Sequence, residues 1–470
     1  MLGSYTETSM SYAAAIDQLS AMAPELYTQP GHARRKFSLD EIGTLLTALG
    51  NPHHRYPSVL IAGTNGKGST AATLASILKA SGLRTGLYTS PHLTRPNERI
   101  RINGAEISDD DFASRYFRVH DCAEQLVLEG KLAQAPSFFE TITAMAFLHF
   151  ADAAVDIAVL EVGMGGRLDA TNIVEPALSI VTDISLDHTE WLGSTISAIA
   201  HEKAGILHPN GTFVTLPQHP DANQVLGEVS NERNVRGVSA VPYMPPVASA
   251  NDRYSVDVLG ATIEIASPLH GAHQHRNIAL ALAAAVELAE QKNLPITAST
   301  IAEGVRTTQW PGRLEQVTSV DPTTNATSQW ILDVAHNPGG AWALRAGLRP
   351  FLDSAAPNGK SATLVFSCLR DKPIAEMAQI LFPLFDRVIF APIRSARATP
   401  TADMLAAAES TGTPATAAAS VAEALELAQS VSNEAQSAPG VVVVAGSVYL
   451  VGEARALLLA QTPKPAEALP

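Results

Sequence analysis

Residues 57–82 constrain this chain more than any other stretch. "PSVLIAG" (57–63) is an apolar run of strand length, and "AGTNGKGST" (62–70) sets three glycines around a lysine. "KGSTAATLASILKASG" (67–82) then reads as an Ala/Leu-rich helix with Gly82 as its stop. A strand, a glycine-rich turn and a helix in that order present backbone N–H groups to an anion at a helix N-terminus. Lys67 adds a point charge there. A glycine turn with a solvated lysine is the plainer alternative, and the order of the elements favours a bound nucleotide. The spacing departs from the usual phosphate loop. Only two residues separate Gly63 from Gly66, and Gly68 pushes Ser69 one place past the position where a hydroxyl normally holds Mg²⁺.

The same alternation runs on. "RTGLYTS" (84–90), "VDIAVLEVG" (155–163) and "ALSIVTDIS" (177–185) are strands. Between the first two lie a helix with Ser108 as N-cap and acids in its first turn, and the apolar helix "SFFETITAMAFLHFAD". Apolar strands alternating with helices predict a mostly parallel sheet covered on both faces. "RYSVDVLGATIEIAS" resembles a hairpin, and "HQHRNIALALAAAVELAEQ" is a helix that returns to the first domain. "QWPGRLEQV" (309–317) marks a boundary, after which "WILDVAH", "SATLVFSC", "RVIFAPI" and "GVVVVAGS" restart the alternation. The expected domains are 1–312 and 313–470, with "QTPKPAEALP" a frayed tail.

Charge bounds the partners. With 32 Lys+Arg against 46 Asp+Glu, the net charge of −14 argues against a general nucleic-acid or anionic-membrane surface. Any polyanion needs a local site, and Arg95, Arg99 and Arg101 form one basic cluster. No apolar run reaches the roughly 20 residues of a membrane span. The first residues lack a secretory signal pattern, which points to a cytoplasmic location. Cys122 and Cys368 are too few for a disulfide framework or a thiolate cluster.

Three residues stand where open α/β sheets bind ligands, or near it. Glu161 ends an apolar strand and suits a magnesium ligand, or else pairs with Arg167. His188 follows the next strand in "TDISLDHTEWLG"; such a loop histidine is more often structural. Lys203, in "IAHEKAGIL", is by default a surface charge. The three histidines of "LHGAHQHRN" suggest a transition-metal site, but no thiolate or carboxylate of suitable spacing accompanies them.

"GTNGKGS", "TSPHL", "NERI", "LEVGMGGRLDATN", "DHTEWLG", "IAHEKAGI", "PGRLE", "AHNP" and "GSVYLVGE" occur in order over residues 61–453. This series resembles the folylpolyglutamate synthase/dihydrofolate synthase family of Mur-ligase-like enzymes, whose loop has the same short spacing. The resemblance implies a P-loop domain with a mostly parallel sheet and a smaller Rossmann-like C-terminal domain. The implied reaction is ATP-dependent amide formation: a pteroate or folate carboxylate is phosphorylated, L-glutamate attacks, and ADP and phosphate leave. Dihydropteroate and reduced folates are the implied acceptors, and a monomer the implied state.

Carried over, the ATP site comprises Gly63, Thr64, Asn65, Gly66, Lys67, Gly68, Ser69, Asn277, Arg313 and Asp333, held by both domains. Ser90, Glu161 and His188 are the implied Mg²⁺ ligands, joined by Lys203 as a carbamate; Lys67, His188 and Lys203 are the implied catalytic groups. Arg99, Ser137, Phe138, Phe139, Glu140, Gly165, Gly166 and Arg167 fall on the folate side, and His336 and Ser447 on the glutamate side. Val334 stands where many members have glycine. The rivals are a Mur ligase for peptidoglycan precursors, a P-loop kinase or ATPase without ligase activity, and a non-catalytic nucleotide-binding protein. The first generally carries an extra N-terminal domain, and about 60 residues before the loop are too few for one. The second predicts phosphate release with no need for glutamate. The joint presence of Lys67, Glu161 and His188 disfavours the third.

Overall fold

A computed structural model describes residues 10–22, 38–246, 253–320, 327–355, 362–434 and 440–461. The expected tail after residue 461 lies outside the described residues. The chain separates into two compact units. The first contains residues 1–92, 96–268 and 275–309; the second contains 310–470 together with 93–95 and 269–274.

In the first unit, strands β1 (Ser58–Ala62), β2 (Thr85–Tyr88), β3 (Ile100–Ile102), β4 (Ala105–Glu106), β5 (Ile157–Glu161), β6 (Leu178–Val181), β7 (Thr212–Thr215) and β8 (Arg236–Ser239) form one sheet. Its order is β4-β3-β2-β5-β1-β6-β7-β8, with every pairing parallel except β2·β3 and β3·β4 at one side. Alternation explains why both faces are covered. Leu60 and Leu160 enter one core with Phe147 and Ile199, while Val59 and Val159 enter the other with Leu74 and Leu282. The last of these sits on the Ala272–Lys292 helix. A separate hairpin, β9 (Arg253–Val258) and β10 (Ala261–Ala266), falls where the sequence places it.

The second unit holds β11 (Glu315–Val320), β12 (Thr327–Asp333), β13 (Ala362–Phe366), β14 (Arg387–Phe390), β15 (Ala415–Ala417) and β16 (Val441–Ala445). Its order is β11-β12-β16-β13-β14-β15, with only β11 antiparallel. Apolar clusters cover both faces, one containing Phe366 and Ala445, the other Trp330 and Val444. Within each sheet, the ends of the parallel strands and the loops that follow them lie along one side of that sheet.

Candidate active site

The loop between β1 and the Lys67–Ala80 helix is closed by the segment that follows β6. Thr64 donates its backbone N–H to Asp183 O at 2.6 Å, and its hydroxyl donates to Ser185 O at 2.9 Å. Buried Thr182 donates its hydroxyl to Asn65 O at 2.8 Å. Glycine is required at both ends of the loop. Gly63 has φ 153°, and a Cβ there would lie 1.8 Å from Thr182 Oγ1. Gly66 has φ 88° as the helix N-cap, and a Cβ would lie 2.1 Å from Asn277 Oδ1. Asn277, far away in sequence, therefore abuts the loop through its side chain. Gly68 and Ser69 are buried in the first turn of the helix.

Two ammonium groups converge on one carbonyl. Lys67 Nζ donates to Gly63 O at 3.1 Å and to Thr64 O at 3.2 Å; Lys203 Nζ donates to the same Gly63 O at 2.7 Å. Lys203 lies at the end of the Ile196–Ala204 helix and is only 4% exposed, so the default of a surface charge does not hold. Burial, and then the charge of Lys67, lower its pKa to about 7, against the opposing pull of Asp187, Asp169 and Asp183. The two heads thus meet at one carbonyl of the loop, Lys67 from the loop helix and Lys203 from a helix far along the chain.

Glu161 ends β5 with its side chain buried, and its Oε2 accepts from the backbone N–H of Ser90 at 3.1 Å. Arg167 is not its partner: that guanidinium pairs with Glu202 at 2.8 Å. His188 adopts a left-handed backbone (φ 49°) as the N-cap of the Thr189–Leu192 helix, and its ring lies 3.9 Å from the Asp187 carboxylate. Ser90 follows β2, Glu161 ends β5 and His188 follows β6, so all three come from the edge that carries the loop.

Beside this edge is a cavity of about 150 Å³, lined by Ser137, Glu140, Gly165, Gly166, Arg167 and Asp169, among others. Five of these six are on the expected folate side. The remaining one, Asp169, was not singled out from the sequence. It is buried, accepts from Met164 N–H at 3.0 Å and Thr171 Oγ1 at 2.6 Å, and burial raises its pKa against those bonds. Phe139 is a core residue 2% exposed. Phe138 is half-buried beneath Arg99, whose guanidinium carbon lies 5.1 Å from the ring centre. Arg99 Nε donates to His92 Nδ1 at 2.9 Å. Burial, then the Arg99 charge, hold the His92 pKa down to about 3, so the ring is neutral.

In the second unit Asp333 ends β12, accepting from Leu314 N–H at 2.9 Å and Ala335 N–H at 2.8 Å. Arg313 Nη1 donates to Gly312 O at 3.1 Å. His336 follows three residues after Asp333, its Nδ1 2.8 Å from Val334 O. Val334, the departure from glycine, is buried and donates its N–H to Gly312 O at 3.0 Å. Ser447 follows β16 and accepts at Oγ from Tyr449 N–H at 3.2 Å. Asp333, His336 and Ser447 lie at or just after the ends of the neighbouring parallel strands β12 and β16, and Arg313 just before the antiparallel β11. Of the three histidines of "LHGAHQHRN", His275 packs edge-on against Tyr254.

Residues 61–285 match the Mur ligase middle domain, and residues 312–448 match the Mur ligase glutamate ligase domain. The chain is therefore an ATP-dependent, amide-forming ligase of the Mur type. It is 36% identical over 457 residues to the dihydrofolate synthase/folylpolyglutamate synthase of Mycobacterium tuberculosis, covering 89% of this chain and 90% of that one. A solved M. tuberculosis folylpolyglutamate synthase, complexed with ADP and AMPPCP, superposes with a TM-score of 0.80 at 35% identity, over 90% and 95% of the two chains. Escherichia coli FolC in complex with DHPP and ADP gives a TM-score of 0.78 at 28% identity, over 97% and 99%. The chain belongs to the dihydrofolate synthase/folylpolyglutamate synthase family.

Proposed function

We propose that this chain joins the amine of L-glutamate to the carboxylate of dihydropteroate and of reduced folates. ATP's γ-phosphoryl group passes to a carboxylate oxygen, and ADP leaves. The glutamate nitrogen then attacks the acyl carbon, phosphate departs and the nitrogen loses its proton. A carboxylate resists attack by an amine, and phosphorylation gives it a leaving group; the remaining work is positioning and charge stabilisation. The observation that carries this reading is the pair of lysine heads on Gly63 O, on the same sheet edge as a cavity lined by residues 165–167.

In this reading residues 63–69 and Asn277 hold the phosphates and the rest of the nucleotide, together with Arg313 and Asp333. Arg99 and the cavity serve the acceptor; His336 and Ser447 serve glutamate. Ser90, Glu161, His188 and a carbamylated Lys203 would hold Mg²⁺. The buried carboxylate of Glu161, a hard oxygen ligand, supports that fit. Magnesium supplies charge neutralisation at the β- and γ-phosphates when bound. Lys203 fits carbamylation because a buried amine titrating near neutrality is nucleophilic toward CO₂. The neutral nitrogen bonds to the carbon and releases a proton, which places an anion beside Lys67 where a protonated Lys203 would be a second cation. The resemblance supports a cytoplasmic monomer; among the described residues no helix is long and apolar enough to cross a membrane.

The deciding experiment supplies purified protein with ATP, Mg²⁺ and glutamate, and with dihydropteroate or tetrahydrofolate in parallel, products being resolved by mass. Addition of glutamate to both acceptors is expected. Phosphate release without glutamate addition to either would leave a P-loop ATPase in its place.

A further inference from the structure

Arg99 is 8% exposed, yet among the described residues no carboxylate pairs with it. Its neighbours are treated differently: Arg101 pairs with Glu106 at 3.5 Å and Arg115 with Asp152 at 3.3 Å. A guanidinium taken this far out of water without a counter-ion is costly, and such a group is retained where an anion arrives from outside the chain. Two contacts fix its head. The Phe138 ring lies under the guanidinium carbon at 5.1 Å, and Nε donates to His92 Nδ1 at 2.9 Å. An imidazole nitrogen that accepts carries no proton, so the ring proton sits on Nε2 and no second charge is added.

The place of this unit in the site follows from its neighbours in the chain. The Arg99 carbonyl accepts from Thr89 N–H at 3.0 Å, and the next residue, Ser90, donates its N–H to Glu161. Phe138 sits between Ser137 and Glu140, both of which line the cavity. The backbone of Arg99 is thus tied to the strand end that leads to Glu161, and its side chain to the helix end at the cavity.

We infer that His92 is a positioning residue: by occupying Arg99 Nε over the face of Phe138, it turns the two terminal nitrogens toward the acceptor carboxylate that is phosphorylated. This rests on the ligase reading of the same site. With Nε engaged, the edge left over is the one that binds a carboxylate or acyl phosphate through two parallel N–H bonds. A lysine offers no such edge. His92 touches neither substrate nor nucleotide and acts only through Arg99.

The test is a double-mutant cycle on the full chain. His92→Phe keeps a planar ring without the acceptor and should lower kcat/KM for the acceptor by about 10- to 100-fold, leaving KM for ATP within about twofold. His92→Gln restores an acceptor oxygen and should recover part of the loss. In an Arg99→Lys background, either change at position 92 should have no further effect. Unchanged acceptor kinetics in His92→Phe, or full additivity with Arg99→Lys, would overturn the inference. Nucleotide binding verifies that each variant is folded; if His92→Phe fails it, the cycle is closed with His92→Gln under the same criterion. Direct binding of dihydropteroate, followed by its fluorescence, separates this result from the ligase reading. If the wild-type chain binds the pteroate but adds no glutamate, the ligase reading fails and the cycle is still read from affinity.

Discussion

At the scale of single residues, the two lysines on the Gly63 carbonyl differ in what surrounds them. Lys67 is partly exposed at a loop end, so Lys67→Ala removes charge but almost no packing. Turnover should fall by at least about 100-fold, as for loss of a preorganised charge at a transferring group, while stability changes by no more than about 0.5 kcal/mol. Near-normal turnover in a folded variant would remove the loop from the nucleotide site. Lys203 is enclosed, and its pKa in the fold is about 7 against an ordinary 10.5. Above pH 10.5 the amine is neutral in both states and its burial costs no charge. As pH falls from there toward 7, the unfolded chain takes up the proton and the folded one does not, so stability is lost; below 7 the loss is complete. The excess stability of Lys203→Met over wild type should therefore widen between pH 10 and pH 7 by on the order of 4 kcal/mol, and then level off. Urea unfolding in CO₂-free buffer measures it. A pH-independent difference would contradict the buried amine, and added bicarbonate should flatten the curve if the carbamate forms, because a carbamate does not take up that proton as an amine does.

At the scale of elements, "SFFE" carries a second meaning. Ser137 is the N-cap of the Phe138–Asp152 helix: its Oγ accepts from Glu140 N–H, while Glu140 Oε2 accepts from Ser137 N–H at 2.7 Å. This reciprocal box was readable from its Ser-x-x-Glu spacing alone, as the cap at Ser108 was, yet the family resemblance drew the segment toward substrate contact. The box and the cavity share these two side chains, and variants separate the two roles. Ser137→Ala should cost about 0.5–2 kcal/mol of stability. Glu140→Gln keeps an amide oxygen that can close the box, so its stability should stay within about 0.5 kcal/mol, and any change in acceptor KM then reports the lost charge. Comparable destabilisation by both would assign Glu140 to the cap alone. Strands and loop were legible because β1, β5 and β6 are short apolar runs ending in polar turns. The enclosure of Lys203, the Asn277 side chain against Gly66 and the His92–Arg99 bond were not, since each depends on which distant elements meet.

At the scale of the whole molecule, the chain order of the units is simpler than their composition. The second unit borrows residues 93–95 and 269–274 from earlier in the chain, and no local pattern announces that. Leu93 joins a core cluster with Val334 and Leu450, and its carbonyl lies against the Val448–Gln461 helix. At Gly452 on that helix, a Cβ would sit 1.9 Å from Leu93 O, a contact with backbone that no rotamer change relieves. Gly227, in the Pro220–Glu232 helix of the first unit, is exposed and has nothing within 4 Å of its would-be Cβ. Helix propensity alone treats the two alike and awards each Gly→Ala change about 1 kcal/mol. Packing divides them. Gly227→Ala should realise most of that gain; Gly452→Ala should lose about 1–3 kcal/mol by overpacking, because the borrowed segment must move. The two units need not unfold together, so a single midpoint is the wrong measure. Native-state hydrogen exchange, read by mass spectrometry on peptides from each helix, assigns the change to its own unit. Faster exchange of the 448–461 peptides in Gly452→Ala, with slower exchange of the 220–232 peptides in Gly227→Ala, is the expected pair. Equal stabilisation by both would mean that residues 93–95 do not seat against the second unit as described.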